Sequence, residues 1–188
     1  SGLTWVNAAR WPRLSSLALG PLGDRLRLPV RANRSLDTAL AHLLETDATA
    51  ADRTVVLLHW GFGIGAAVAH RGTLLGSSLG RFGEIGHLPS PGGAGRRCAC
   101  GARGCLETEA ALWALAPRLH RRLGSLPDGE EELAAALAAP DVADLPEVRA
   151  ATRAMQHGLV TIHRLFYPDE VLLAGPLAEN PAVFRLLA

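Results

Sequence analysis

Lysine is absent from this chain, and all 19 of its basic residues are arginines. The arginines balance 18 acidic residues and are scattered, so they form no basic stripe of the kind that binds nucleic acid. The longest apolar run, residues 54–69, is interrupted by glycines and is too short to cross a bilayer. No signal peptide is recognisable. These absences predict a cytoplasmic chain that has no membrane partner and does not bind DNA through these residues.

Cysteine is scarce, and its three residues all lie between positions 98 and 105. Such a cluster, with no cysteine elsewhere, is not the disulfide framework of a small secreted protein. Hydrophobic residues make up 48% of the chain and charged residues 20%, which is the balance of a globular protein. Its 188 residues suffice for one well-packed domain, or for one and a half lobes of a larger protein.

Hydrophobic periodicity predicts an α/β chain, with an antiparallel meander in which a buried strand passes through a tight glycine turn into two further strands. The predicted strands cover residues 29–32, 53–60, 66–70, 73–75 and 170–175. The predicted helices cover 15–28 (broken at Gly20-Pro21), 35–45, 106–123 (kinked at Pro117), 128–139 (opened by an Asp-x-x-Glu cap), 146–168 and a last segment from Asn180.

The stretch 76–105 is long for an ordered loop, and such loops are usually functional. We call residues 83–107 the cysteine loop. Three thiolates and one imidazole are a complete tetrahedral ligand set for a structural zinc ion, and the loop offers them as His87, Cys98, Cys100 and Cys105. Its many glycines would let the chain fold back so that these side chains converge. The alternative is a loop with three free thiols.

Two glutamates flank the predicted zinc ligands. Glu84 lies three residues before His87, and Glu107 lies two residues after Cys105. Each is either a solvated surface residue or an acceptor for the hydroxyl groups of a polyol or sugar. A zinc-bound imidazole also needs a partner for its second ring nitrogen. The residues alone leave these alternatives open.

The cysteine loop resembles the ROK family of repressors and sugar kinases. "GEIGH" followed by "CACGARGCLE" is similar to the family signature, and "LPVRAN", "LLHWGFGIGAAVAHRGTLLGSS" and "VLLAGPL" agree more weakly. The resemblance covers about residues 10–188. It implies an actin-like ATPase or sugar-kinase (ribonuclease H-like) α/β fold, with a remnant of the N-terminal lobe at 1–33 and the C-terminal lobe at 34–188.

The resemblance also assigns ligands to individual residues. It implies that zinc is held by His87, Cys98, Cys100 and Cys105. It implies that sugar hydroxyls are held by Asn33, Glu84, His87 and Glu107. His87 would then contact both the metal and the sugar.

Departures from the family pattern concern catalysis. Arg34 stands where family kinases place the aspartate that accepts the proton of the attacking hydroxyl, and an arginine stays protonated. Asp37, three residues later, is the alternative base. The N-terminal Asp-x-Gly-Gly-Thr motif of family kinases is absent, and the phosphate and nucleotide turns are degenerate at Gly61, Phe62, Gly63 and Gly175. These departures predict that no residue of the chain is catalytic and that the chain is not an enzyme.

The resemblance and these departures together predict that the chain senses a sugar. The chain is most like the C-terminal effector domain of a NagC/XylR-type transcriptional regulator, with a sugar effector and a homodimer or higher homo-oligomer. DNA would be bound only by a winged helix preceding Ser1. The alternatives are a truncated sugar kinase that phosphorylates a hexose or N-acetylhexosamine, and a zinc-stabilised scaffold that binds no ligand.

Overall fold

A computed structural model describes residues 4–5, 17–30, 33–76, 82–93 and 95–188. The strands are β1 (Thr4–Trp5), β2 (Leu17–Ala18), β3 (Thr54–Trp60), β4 (Ile64–His70), β5 (Thr73–Leu75) and β6 (Glu170–Ala174). The first two form a small antiparallel pair, and the other four form a mixed sheet in the order β5-β4-β3-β6. Within that sheet β6 runs parallel to β3, whereas β4 is antiparallel to both β3 and β5.

The helices are α1 (Gly20–Leu26), α2 (Ser35–Thr46), α3 (Glu107–Ala110), α4 (Leu112–Leu123), α5 (Glu130–Ala136), α6 (Pro146–Phe166) and α7 (Pro181–Leu187). Short 3-10 helices cover Ala48–Asp52, Ile85–His87 and Pro140–Asp144. Among the described residues, no helix has both the length and the apolar character needed to cross a membrane.

Both faces of the sheet are covered, which explains the apolar run of β3. Val56, Leu58 and Trp60 point into a large core that also contains residues of α3, α4 and α6. Val55 and Leu57 point to the opposite face, where Leu40 of α2 is fully buried. Alternating residues of one strand thus fill two cores. The predicted meander is confirmed, and Trp60 pairs with Ile64 so that residues 61–63 form the connection.

The predicted helix over 106–123 is interrupted at Ala111, and Pro117 lies inside α4, so the kink predicted there stays a prediction. Ala111 is extended, with ψ of 148°. The Leu112 N–H donates to the carbonyl of Gly61 at 3.0 Å instead of continuing the helical pattern of α3. The carbonyl of Thr108, in the turn before the break, accepts from Arg96 Nη1 at 2.9 Å. Hydrogen bonds to distant residues therefore divide the helix, and local propensity does not reveal them.

Other local predictions were wrong at helix starts. Gly20-Pro21 opens α1 and does not break it, since a proline at the first helical positions loses no helical hydrogen bond. The start of α5 has Gly129 at the N-cap without a side-chain cap, so the predicted Asp128 cap is absent.

Of the strand predicted at 29–32, residues 29–30 are not in a strand and 31–32 lie outside the described residues. The division at residue 33/34 stays a prediction.

Candidate functional site

The segment that carries Glu84 and His87 lies against β4. The Ala66 N–H donates to the carbonyl of Gly83 at 2.8 Å, and the 3-10 helix Ile85–His87 follows directly. A Cβ on Gly86 would collide with the Ile64 carbonyl oxygen and with the Glu107 side chain. Glycine at this position therefore lets the two ends of the cysteine loop approach each other.

Four potential metal ligands converge in the cysteine loop. One ligand atom from each of His87, Cys98, Cys100 and Cys105 lies within 4.8 Å of all the others. Cys98 Sγ is 3.5 Å from His87 Nδ1, and Cys100 Sγ is 3.7 Å from Cys105 Sγ. A tetrahedron with metal–sulfur bonds of about 2.3 Å has edges of about 3.7 Å, so both separations fit a tetrahedral ion. The predicted cluster is thus close enough to hold a metal.

The thiol environments determine what a cation must displace at this cluster. Burial raises the pKa of the Cys98 thiol and raises the pKa of Cys105 to about 12. A backbone hydrogen bond from Ala102 lowers the pKa of the exposed Cys100. Since metals bind thiolates, a cation must displace protons from the two buried thiols, and its charge compensates for their poor solvation.

The backbone of the cysteine loop forms a small hairpin. Leu106 N–H donates to the Leu88 carbonyl and Ser90 N–H to the Gly104 carbonyl, each at 2.9 Å. Cys98 N–H donates to the Ala102 carbonyl, also at 2.9 Å. The predicted folding back at glycines is visible as positive φ angles at Gly95, Gly101 and Gly104.

The two flanking glutamates have different environments. Glu107 is buried, and its Oε1 accepts from the Ile64 N–H at 3.0 Å while Oε2 accepts from Trp113 Nε1 at 3.4 Å. Glu84 is half-exposed, and its Oε2 lies 3.9 Å from His87 Nε2. His87 therefore directs Nδ1 to the cysteines and Nε2 to Glu84. The imidazole and the Glu84 carboxylate are thus neighbours.

Arg34 extends this group of charges from the start of α2. Its Nη1 forms an ion pair with Asp37 at 3.3 Å, and its Nη2 lies 3.7 Å from Glu84 Oε1. Nη2 also donates to the carbonyl of Ala66 at 3.3 Å. Asn33 precedes it and is exposed. The structure thus brings Arg34, at the N-terminus of α2, to Glu84, and the assignment of Asn33 to a sugar stays a prediction.

A second site candidate lies where β3 and β6 end. We call residues 61–63 the glycine turn; it follows β3, and Gly175 follows β6. Because β3 and β6 are parallel neighbours, with His59 paired to Ala174, the turn and Gly175 share one edge of the sheet. Ligands of open α/β sheets bind at this edge.

The glycine turn contacts a residue, Glu130, that the sequence did not indicate. Glu130 Oε1 accepts from the Phe62 N–H at 3.2 Å, and Glu130 Oε2 lies 3.1 Å from His59 Nε2. Glu130 is the first residue of α5 and is separated by 68 positions from Phe62. Trp113, the donor to Glu107, was missed for the same reason. Neither residue belongs to a local motif, so only the fold identifies them.

Comparison with known proteins places the chain in a family. A sequence model of the ROK family matches residues 7–187. The chain belongs to the ROK family. The solved ROK hexokinase from Thermus thermophilus is 26% identical, with a TM-score of 0.67 over 89% of this chain and 58% of that one. A solved ROK family transcriptional regulator, a homolog of the E. coli MLC protein, is 26% identical, with a TM-score of 0.69 over 97% and 51%.

Among curated ROK relatives, the glucokinase of Halalkalibacterium halodurans is 32% identical over 100 residues. This match covers 51% of the present chain and 30% of the glucokinase. The chain thus spans about a third of that relative and just over half of the two solved ROK proteins. The actin-like, sugar-kinase fold expected from the resemblance is confirmed.

The prediction that the chain is not an enzyme is overturned by these relatives, since they include a glucokinase and a hexokinase. That prediction depended on an absent N-terminal motif and on Arg34. Because the chain covers only part of these relatives' length, the absence of the motif is no evidence about activity. Moreover, a carboxylate, Asp37, lies 3.3 Å from Arg34 and is only 26% exposed. Proton acceptance near this position is therefore chemically available.

Proposed function

We propose that this chain is the sugar-binding part of a ROK sugar kinase that phosphorylates a hexose or N-acetylhexosamine. The observation that carries the proposal is the meeting of His87 with Glu84 on one ring nitrogen and with the cysteine cluster on the other. The similarity to a glucokinase over half of the chain supports the reaction class. The regulator among the solved relatives supports a second candidate, described below.

The metal in this proposal is zinc, held by His87, Cys98, Cys100 and Cys105. Three thiolates and an imidazole fill a tetrahedral zinc ion and leave no position for substrate, so the ion is structural. Its chemical contribution is to hold the loop and to compensate the buried thiolates. The three cysteines, which are all of this chain's cysteines, form no disulfide and serve as ligands, which fits a reducing compartment and supports the cytoplasm as location.

The sugar contacts are assigned to residues around the zinc. Glu84 and Glu107 accept hydrogen bonds from hydroxyl groups, and His87 Nε2 is the third partner. Asn33, at the N-terminus of α2, provides a further amide. Glu107 is already oriented by the Ile64 N–H and by Trp113, so it contributes a fixed acceptor, whereas Glu84 is 50% exposed and can adjust.

The base in this proposal is Asp37. Phosphoryl transfer needs a group that accepts the proton of the attacking hydroxyl while the oxygen bonds to the γ-phosphorus of the nucleotide. Arg34 cannot accept a proton, but its ion pair with Asp37 orients that carboxylate. The proton therefore passes to Asp37, and the leaving nucleoside diphosphate takes the electrons of the broken P–O bond.

The test uses the full-length protein that contains this chain, with ATP and either glucose or N-acetylmannosamine, and measures ADP release. We expect sugar-dependent turnover that falls by about 10²–10⁴ in Asp37→Asn, the usual contribution of a general base. Asp141→Asn, which removes an exposed carboxylate far along the chain, is the control and should leave turnover unchanged. Absence of sugar-dependent ADP release would contradict the kinase proposal.

The second candidate is the sugar-sensing domain of a ROK transcriptional regulator. Its specific support is that the solved regulator aligns with 97% of this chain. In this case the sugar would shift a homo-oligomer between two arrangements and so change the DNA affinity of a winged helix preceding the chain. Sugar-dependent operator binding by the full-length protein, without ADP release, would favour it. Failure to bind any sugar would instead favour a zinc-stabilised scaffold.

A further inference from the structure

In the glycine turn, a backbone N–H already donates to a carboxylate of the protein itself, that of Glu130. Glu130 Oε1 accepts the Phe62 N–H at 3.2 Å, and Oε2 of the same carboxylate lies 3.1 Å from His59 Nε2. A backbone N–H that is directed at a carboxylate is a donor oriented for negative charge. The turn thus has the chemistry of an anion site, and its present occupant is a side chain of α5.

The backbone around this carboxylate is closely fitted. A Cβ on Gly61 would collide with both His59 Nε2 and Glu130 Oε1, so a glycine is needed for the contact. The Gly61 carbonyl accepts from Leu112 N–H at 3.0 Å, which fixes the turn to α4. The turn is therefore the rigid partner in this contact.

The carboxylate belongs to a side chain that solvent reaches. α5 has seven residues, and its Leu133 is buried in the main core. Glu130 is 38% exposed at the side chain, and His59 is 26% exposed. The Glu130 side chain can therefore rotate away from the glycine turn while α5 stays packed on the core.

We propose that Glu130 is an internal latch that competes with the phosphate of a phosphoryl donor for the Phe62 N–H. This inference rests on the proposed kinase function. A phosphate oxygen and the Glu130 carboxylate cannot share one donor, since two anions at hydrogen-bond distance from the same N–H repel each other. Binding of the donor displaces the Glu130 side chain from the turn.

The test measures binding of ADP and of tripolyphosphate to the full-length protein by calorimetry. Glu130→Ala removes the competing carboxylate, so we expect both ligands to bind about tenfold tighter or more, the scale of a charged hydrogen bond. Glu131→Ala removes the neighbouring exposed carboxylate of α5 and should change affinity less than about twofold. The tripolyphosphate arm separates phosphate recognition from recognition of the nucleoside.

Three outcomes would overturn the latch: unchanged affinity in Glu130→Ala, weaker affinity, or no binding of either ligand by any variant. Hydrogen exchange of the Phe62 amide gives a readout that needs no ligand, and it should be faster in Glu130→Ala than in Glu131→Ala. Hexose titration of the same samples separates the two claims. Retained hexose binding with unchanged ADP affinity would reject the latch alone, whereas loss of hexose binding in the wild type would reject the proposed function.

Discussion

The cysteine loop and the glycine turn satisfy their polar groups in opposite ways. In the cysteine loop, three free thiols and an imidazole bring electron-pair donors together, at separations that fit a tetrahedral cation. In the glycine turn, a backbone donor and a side-chain acceptor from α5 already meet. The first arrangement is close enough to hold an external ion, whereas the second pairs two groups of the chain itself. We infer that the loop is built around a ligand and the turn is regulated by a competitor.

The largest effect should come from breaking the loop's metal set. Cys105→Ala removes a buried ligand, so we expect loss of bound metal and a fall of about 3 kcal/mol or more in the free energy of unfolding. Metal content by elemental analysis and denaturant unfolding measure the two effects.

A matched pair of histidines controls for that experiment. His87→Ala should also release the metal, whereas His157→Ala, at an exposed position of α6, should retain it. Full metal content in Cys105→Ala would show that the loop does not depend on the ion.

An intermediate effect should follow from changing a sugar contact without changing the loop. Glu84→Gln removes a charge from a half-exposed side chain, and we expect sugar affinity to fall about tenfold, since hydrogen bonds to charged groups contribute about 1.5–3 kcal/mol. Metal content and stability should stay as in the wild type. Calorimetric sugar titration measures this, with the exposed Glu45→Gln of α2 as control. Equal affinities of the two variants would remove Glu84 from the site.

The smallest effect on metal and sugar binding should come from the contact that joins the two regions. Trp60 precedes the glycine turn and is fully buried, and its Nε1 donates to the carbonyl of Ala110, next to the cysteine loop, at 2.7 Å. Trp60→Phe leaves that carbonyl unpaired, so we expect a loss of about 1–3 kcal/mol in the free energy of unfolding. Metal content should not change. A loss of metal together with stability would mean that the two regions are not separable.

The cysteine loop could be predicted from the sequence because its residues are close along the chain and chemically distinctive. His87 and the three cysteines lie within 19 positions. A metal site explains this cluster without any knowledge of the fold, because it needs only these four ligand types close together. The strands of the meander could be predicted for a similar reason, since β3 and β4 are joined by a three-residue connection.

Other features depended on contacts between distant positions and could not be predicted. The break at Ala111 follows from the bond between Leu112 and Gly61, 51 residues away along the numbering. The occupation of the glycine turn by Glu130 follows from the packing of α5. The prediction that the chain is not an enzyme used Arg34 as a single departure from the family pattern. The ion pair between Arg34 and Asp37 is seen only in the structure.

The most direct test of the account is a calorimetric hexose titration of the full-length protein before and after removal of its metal by a chelator. We predict binding in the metal-loaded protein, loss of at least tenfold in affinity after removal, and recovery when zinc is restored. Equal hexose affinity in the loaded and stripped protein would contradict the claim that a metal in the cysteine loop holds Glu84, His87 and Glu107 in place for a sugar.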